Sequence, residues 1–226
     1  MSIAKTPCGI LWGMPTPPNT RSIKISDDER GGWSSDRPRK EGAKPRLADV
    51  SVRNRVLQPA DRIRYSPGSL LIVVSASKVD RDAFIDRVIE QKNAVLSLDK
   101  VHALIAGRVK EDEMEARAQE LLDAAVAKRL GADDSVVLGA DGLDAAERER
   151  YVRLAVPARA PRHLILLEVA RDQVPEDALA PLNALRKALD AGDLGAEGFH
   201  TAMRLGGGSA AEVKRIVFRP EPRDDE

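Results

Sequence analysis

The pattern of apolar and polar positions changes near residue 69 of this 226-residue chain. Downstream, short continuous apolar runs alternate with segments of helical spacing. Ser69-Leu70-Leu71-Ile72-Val73-Val74-Ser75 is compact, β-branched and apolar throughout, as strands covered on both faces of a parallel sheet are. Residues 82–89 then place Phe84, Ile85, Val88 and Ile89 on one helical stripe. Residues 94–97 predict a second strand. The spacing over 111–130 predicts a long helix: Met114, Ala118, Leu121, Leu122 and Ala125 share a face, and Glu111, Asp112 and Glu113 sit at its positive end. A third strand is expected at 135–139, and a helix from Asp144 to about Leu154 with Glu147 as capping-box partner. A fourth strand is expected at 162–168, a helix at 175–191 with a first-turn proline, and a fifth, edge strand at 212–218. Strands separated by helices predict a three-layer α/β sandwich with a mainly parallel five-stranded sheet.

Upstream, neither period survives. Residues 1–69 hold 8 of the 14 prolines, both tryptophans, and 13 Lys/Arg against 7 Asp/Glu. That leaves 23 against 29 for the rest, so the formally neutral chain divides into a basic arm of +6 and an acidic body of −6. Proline interrupts helices and ladders, and so polar a segment buries too little to offset its ordering entropy. The expected organisation is an extended basic, proline-rich arm at 1–69, an α/β domain at 70–220 and an acidic tail at 221–226. Two readings of the arm stay open: a solubilising extension, or a docking arm that orders on a partner. In the second, Trp12 and Trp33 are anchors, and Arg37, Arg39 and Lys40 supply charge for an acidic protein surface. These cations could also touch nucleic-acid phosphate, although nothing nearby reads bases.

Composition narrows the classes. With 42% hydrophobic and 3% aromatic residues, the core must be Ala, Leu, Val and Ile. No run approaches the roughly 18 apolar residues of a membrane helix, and the first residues lack a signal-peptide apolar segment. Cys8, the single cysteine, makes neither an internal disulfide nor a clustered metal site. The expected setting is the cytoplasm, or a particle assembled there.

The order and spacing of these elements resemble P-loop kinases, and within them the polynucleotide-kinase-like ATPases, small AAA-labelled proteins. The resemblance covers residues 69–190. It rests on strand-loop-helix at 70–90, Val95-Leu96-Ser97-Leu98-Asp99, Arg129-Leu130 leading into Val136-Val137-Leu138, Leu143 with Ala146-Glu147-Arg148, and Leu164-Ile165-Leu166-Leu167-Glu168. It implies a phosphate loop, G-x-x-x-x-G-K-[ST], whose backbone N–H groups wrap phosphate while Lys and the hydroxyl serve the terminal phosphate and Mg²⁺. The corresponding residues are Ser75-Ala76-Ser77-Lys78-Val79-Asp80-Arg81-Asp82. Ser75 and Asp80 replace both glycines, Arg81 the lysine, and Asp82 the hydroxyl. Two carboxylates thus stand where phosphate would bind, and the loop reads as a capped helix start.

The other stations implied by the resemblance are altered too. Asp99 matches the base that accepts the acceptor hydroxyl's proton, but His102 stands at the following Arg position. Residues 138–142 lack the acid, hydroxyl and amide of the third-strand turn. Pro181 takes one lid-arginine position and leaves Arg186. His163 and His200 have no ligand-spaced partners. Residues 205–209, Leu-Gly-Gly-Gly-Ser, read as a connector leading into a one-turn helix, and 196–199 as a loop packing Phe199 on the sheet. The expectation is therefore a catalytically inactive, P-loop-kinase-like structural protein that docks into a protein assembly or homo-oligomer through its arm and takes no cofactor. The alternative is a divergent nucleotide or polynucleotide kinase that transfers phosphate from ATP with Mg²⁺ and uses Arg81 and Asp99.

Overall fold

The computed structural model describes residues 52–140 and 142–220. Trp12, Trp33, Arg37, Arg39 and Lys40 lie outside the described residues, as does the 221–226 tail. In chain order the elements are β1 (Arg55–Leu57), β2 (Arg62–Tyr65), β3 (Leu70–Ser75), α1 (Lys78–Val88), β4 (Val95–Leu96), α2 (Leu98–Ile105) and α3 (Glu111–Gly131). They continue with β5 (Val136–Ala140), α4 (Ala145–Ala155), β6 (Arg162–Glu168), α5 (Glu176–Ala191), β7 (Thr201–Gly206), α6 (Gly208–Glu212) and β8 (Arg215–Phe218).

The central sheet has six strands in the order β1-β7-β6-β3-β5-β4, and every neighbouring pair is parallel. β3 is central because its whole length is apolar and it pairs on both sides: Leu70 lies opposite Val136 of β5 and Arg162 of β6. Alternate β3 side chains feed separate cores. Leu70, Ile72 and Val74 join Leu122 and Val126 of α3, Val152 of α4 and Leu185 of α5 on one face. Leu71 and Val73 join Phe84, Ile85 and Val88 of α1 on the other. Each such buried Leu or Ile contributes about 1.5–3 kcal/mol. Helices therefore cover both faces, and the α/β sandwich is observed.

Two expectations need correction. The sheet has six strands rather than five, and the 212–218 segment is not its edge. β8 instead pairs in parallel with β2 to form a separate two-stranded ribbon, with Arg62 opposite Arg215 and Tyr65 opposite Phe218. The ribbon packs Ile63, Tyr65, Ile216 and Phe218 against the α1 face. Secondly, residues 52–68 belong with the body, because β1 pairs with β7 and β2 with β8. In β2 the arginines are exposed while Ile63 and Tyr65 are buried, so a period-two strand is hidden within a basic count. β7 includes Leu205 and Gly206 of the expected 205–209 connector, and it pairs with β6 on one side and β1 on the other.

Helix ends follow local chemistry. Ser77 caps α1, and α5 follows Pro175 and stops at Gly192, whose φ of 73° suits a residue without Cβ. Asp144 precedes α4 as predicted, but its side chain makes no capping hydrogen bond. Among the described residues, no helix is long and apolar enough to cross a membrane.

Candidate functional site at the carboxyl edge of the sheet

Open parallel sheets bind ligands outside the carboxyl ends of their strands, where neighbouring connections diverge. Here that point lies between β3 and β6. The chain leaves β3 towards β4 and β5, and leaves β6 towards β7. The turn from β3 into α1 and the turn after Glu168 therefore form the edge at which the sequence places its candidate residues.

The β3–α1 turn is closed by its own side chains. Only Ala76 and Ser77 separate the strand from the helix. Ser77 N–H donates to Ser75 Oγ at 3.2 Å, and Asp80 N–H donates to Ser77 Oγ at 3.3 Å. Arg81 N–H bonds to Ser77 O at 3.0 Å. The helix starts at Lys78, so residues aligned with the middle of a phosphate loop are already helical. The predicted capped helix start is observed, but Ser77 supplies the cap, rather than Asp80 or Asp82.

Arg81 turns inward and is 2% exposed, with its Nε donating to Asp82 Oδ1 at 2.9 Å. Both lie against Gly139 of β5. A Cβ there would fall 3.0 Å from Arg81 Nε and 3.2 Å from Asp82 Oδ1. The glycine of β5 is what lets this pair pack onto the strand. Arg81 consequently cannot serve as an outward-facing phosphate ligand in this arrangement.

Asp99, in the first turn of α2, accepts from Lys78 Nζ at 2.7 Å, and both side chains are about half exposed. Solvent screening makes this a weak link between the two helix starts. Ser97 caps α2 through Lys100 N–H. Asp82, Asp99, Ser97 and Lys100 line a small cavity of about 210 Å³. Asp80 instead lines a wider groove of about 690 Å³ on the far side of α1, with Phe84, Leu167 and Glu168. The candidate residues are thus divided: Asp82 and Asp99 share one cavity, Asp80 faces another, and Arg81 lies buried in the core.

His102 Nε2 is 3.1 Å from Glu115 of α3. His163 lies at the opposite, amino edge of β6, within reach of Thr201 and Ser69. His200 Nδ1 accepts from Arg162 N–H at 3.1 Å. Among the described residues no three His, Cys, Asp or Glu side chains group as metal ligands would.

Arg186, the remaining lid-arginine candidate, is fastened to Glu168. Its Nε lies 2.8 Å from Oε1, and its Nη2 also bonds to Oε2. Arg204 of β7 adds its Nε at 2.7 Å from Oε1. The hydrogen bonds from Arg186 first, and then the two positive charges, hold the Glu168 carboxyl below the usual range despite partial burial. Glu168 faces Gly206 in the register, where a Cβ would fall 2.9 Å from its own Cβ. Sequence reasoning missed this trio. Its signals were an acid closing an apolar strand and a glycine ending the next, the latter masked once 205–209 read as connector.

Phe199 is fully buried, as expected of the 196–199 loop. In the same loop, Glu197 receives Arg148 Nε and Nη2 at 2.8 Å each, while Arg148 Nη1 donates to the carbonyls of Gly142 and Leu143. No protein-family model matches the chain, and no curated protein matches it either.

Proposed function

We propose that this chain is a catalytically inactive, P-loop-kinase-like domain acting as a structural or interaction protein, docked into a protein assembly through its N-terminal arm. The single observation that supports inactivity is the β3–α1 turn. Of the N–H groups that would wrap phosphate, those of Ser77, Asp80 and Arg81 are held by Ser75 Oγ, Ser77 Oγ and Ser77 O. A wrapping nest of N–H groups is the physical requirement for phosphate at this position. Asp80 adds an exposed negative charge in the first turn of α1, while the charge of Asp82 is countered by Arg81. Support for docking comes from charge: residues 1–46 hold 9 Lys/Arg against 5 Asp/Glu, or +4, and the remainder 27 against 31, or −4, which are complementary between copies or with a similar partner.

The test is MgATP. Calorimetry of the full chain should give no saturable binding tighter than about 0.1 mM, a free energy of roughly −5.5 kcal/mol. Prolonged incubation should release no phosphate. Turnover would overturn the reading. The docking half is tested by sedimentation of the full chain against a chain beginning at Leu47. Salt-sensitive assemblies that vanish with the truncation support it, and identical behaviour of the two chains sinks it.

A second reading, a divergent nucleotide or polynucleotide kinase, draws on one observation: Asp99 lines a cavity together with Ser97 and Lys100. Phosphorylation of a nucleoside or a 5′-hydroxyl end that is lost in Asp99→Asn would establish it.

A further inference from the structure

Beyond Glu168 lies a third cavity, of about 490 Å³, between the turn after β6, α5 and β7. Three guanidinium groups line it: Arg171 from the turn, Arg186 from α5 and Arg204 from β7. Asn183 stands beside them, and Val174 and Leu179 form an apolar wall. The lining contains no carboxylate. Glu168 lies behind the arginines and holds the Nε of both Arg186 and Arg204. Asp190, 3.7 Å from Arg204 Nη1, is mostly in solvent. Among the described residues, Arg171 has no ion pair, and Arg204 Nη2 has no hydrogen-bond acceptor. Asn183 Oδ1 accepts from Arg186 Nη1 at 3.0 Å, which leaves the Asn183 amide hydrogens for another acceptor.

We propose that this cavity binds a small phosphate monoester whose alcohol portion is apolar. Planar guanidinium forks match the oxygens of phosphate, and charge-assisted hydrogen bonds of this kind are the strong ones. Three cations in front of one partly buried carboxylate favour a dianion over a monoanion. The Val174–Leu179 wall gives the hydrocarbon part a surface to cover, the usual division of labour in small-ligand sites. Glu168 is the positioning residue: it fixes two of the three arginines without facing the ligand. The site also lies outside the carboxyl ends of β6 and β7, where such sheets bind ligands. It shares no lining residue with the β3–α1 turn, so the proposal stands apart from the question of catalytic activity.

The experiment is calorimetry on the full chain with phenyl phosphate, inorganic phosphate and phenylacetate as probes. Phenyl phosphate should bind saturably and more tightly than either of the others, with affinity falling as salt rises. Arg171→Gln and Arg204→Gln should each weaken it about tenfold. Arg171 sits exposed on a turn, so its variant tests binding without threatening the fold. The proposal is overturned if phenyl phosphate fails to saturate, if binding survives both substitutions, or if phenylacetate binds equally well. An ATP signal that disappears in Arg171→Gln belongs to this cavity, and turnover alone then judges the inactive-kinase reading.

Discussion

The imidazole of His163 stacks on the Tyr65 ring at a centroid separation of 4.2 Å and an interplanar angle of 25°, joining the central sheet to the β2–β8 ribbon. Ser69 uses its hydroxyl proton on Ser66 O, so it accepts from His163 Nε2, which leaves His163 Nδ1 to accept from Thr201. The ring is therefore held as the neutral tautomer. Burial first, then the positive fields of His200 and Arg162, push its pKa down to about 3.

A depressed histidine makes the fold acid-sensitive. Between its ordinary value of 6.5 and about 3, the unfolded chain binds a proton that the folded chain refuses. Stability is thus complete above about pH 6.5 and declines by about 1.4 kcal/mol per pH unit below it, until His163 itself protonates. His200, also lowered, acts in the same direction. Urea denaturation across pH 4–8 should show this slope, and His163→Gln should flatten it. An unchanged slope in that variant would refute the assignment.

Gly139 is the point at which the Arg81–Asp82 pair rests on β5. Gly139→Val should destabilise the domain by about 1–3 kcal/mol through overpacking. The buried arginine cannot retreat into solvent as an exposed one would. A urea midpoint equal to that of the parent would show that the pair yields freely.

Gly195 matters for the chain entering the sheet. A Cβ there would fall 2.1 Å from Val52 O and 3.0 Å from Asn54 N, and Val52 N–H bonds to Gly195 O at 2.9 Å. Gly195→Ala should dislodge β1 while sparing β3, β5 and β6. Hydrogen exchange should then lose protection at Arg55–Leu57 alone; unaltered protection there contradicts the packing.

Arg148 is 3% exposed and depends on Glu197 for its countercharge. Glu197→Ala should cost about 3–5 kcal/mol because it strands a buried cation, whereas Arg148→Met combined with Glu197→Met should come much closer to neutral. A double-mutant cycle on thermal unfolding reads the coupling. Additive losses would mean that the two side chains act independently.

Legibility in the sequence followed burial. β3, β5 and β6 are apolar on both faces, so their runs stand out from composition alone. α3 and α5 show their stripes and end signals. β1 and β2 do not, because Arg55, Arg62 and Arg64 point to solvent and make a strand look like part of a basic tail. β7 was hidden by the glycines that end it. The altered phosphate loop was readable residue by residue, including its conversion to a helix start. That Arg81 would turn inward was not readable, because it depends on Gly139, which is 58 positions away. The arginine-lined cavity draws on three elements that meet only in the folded sheet.

The pairing of β1 with β7 and of β2 with β8 also bears on how the chain is made. Arg55–Leu57 finds its partner at Thr201–Met203, and Arg62–Tyr65 at Arg215–Phe218. Among the described residues, the first two strands to leave the ribosome are therefore completed by the last two. Contacts of such long sequence separation close slowly. Until β7 and β8 have been made, the backbone edges of β1 and β2 remain without their native partners, open to other chains on the same message. Emergence of these two strands, rather than growth of the core between them, is the event that lets this domain close.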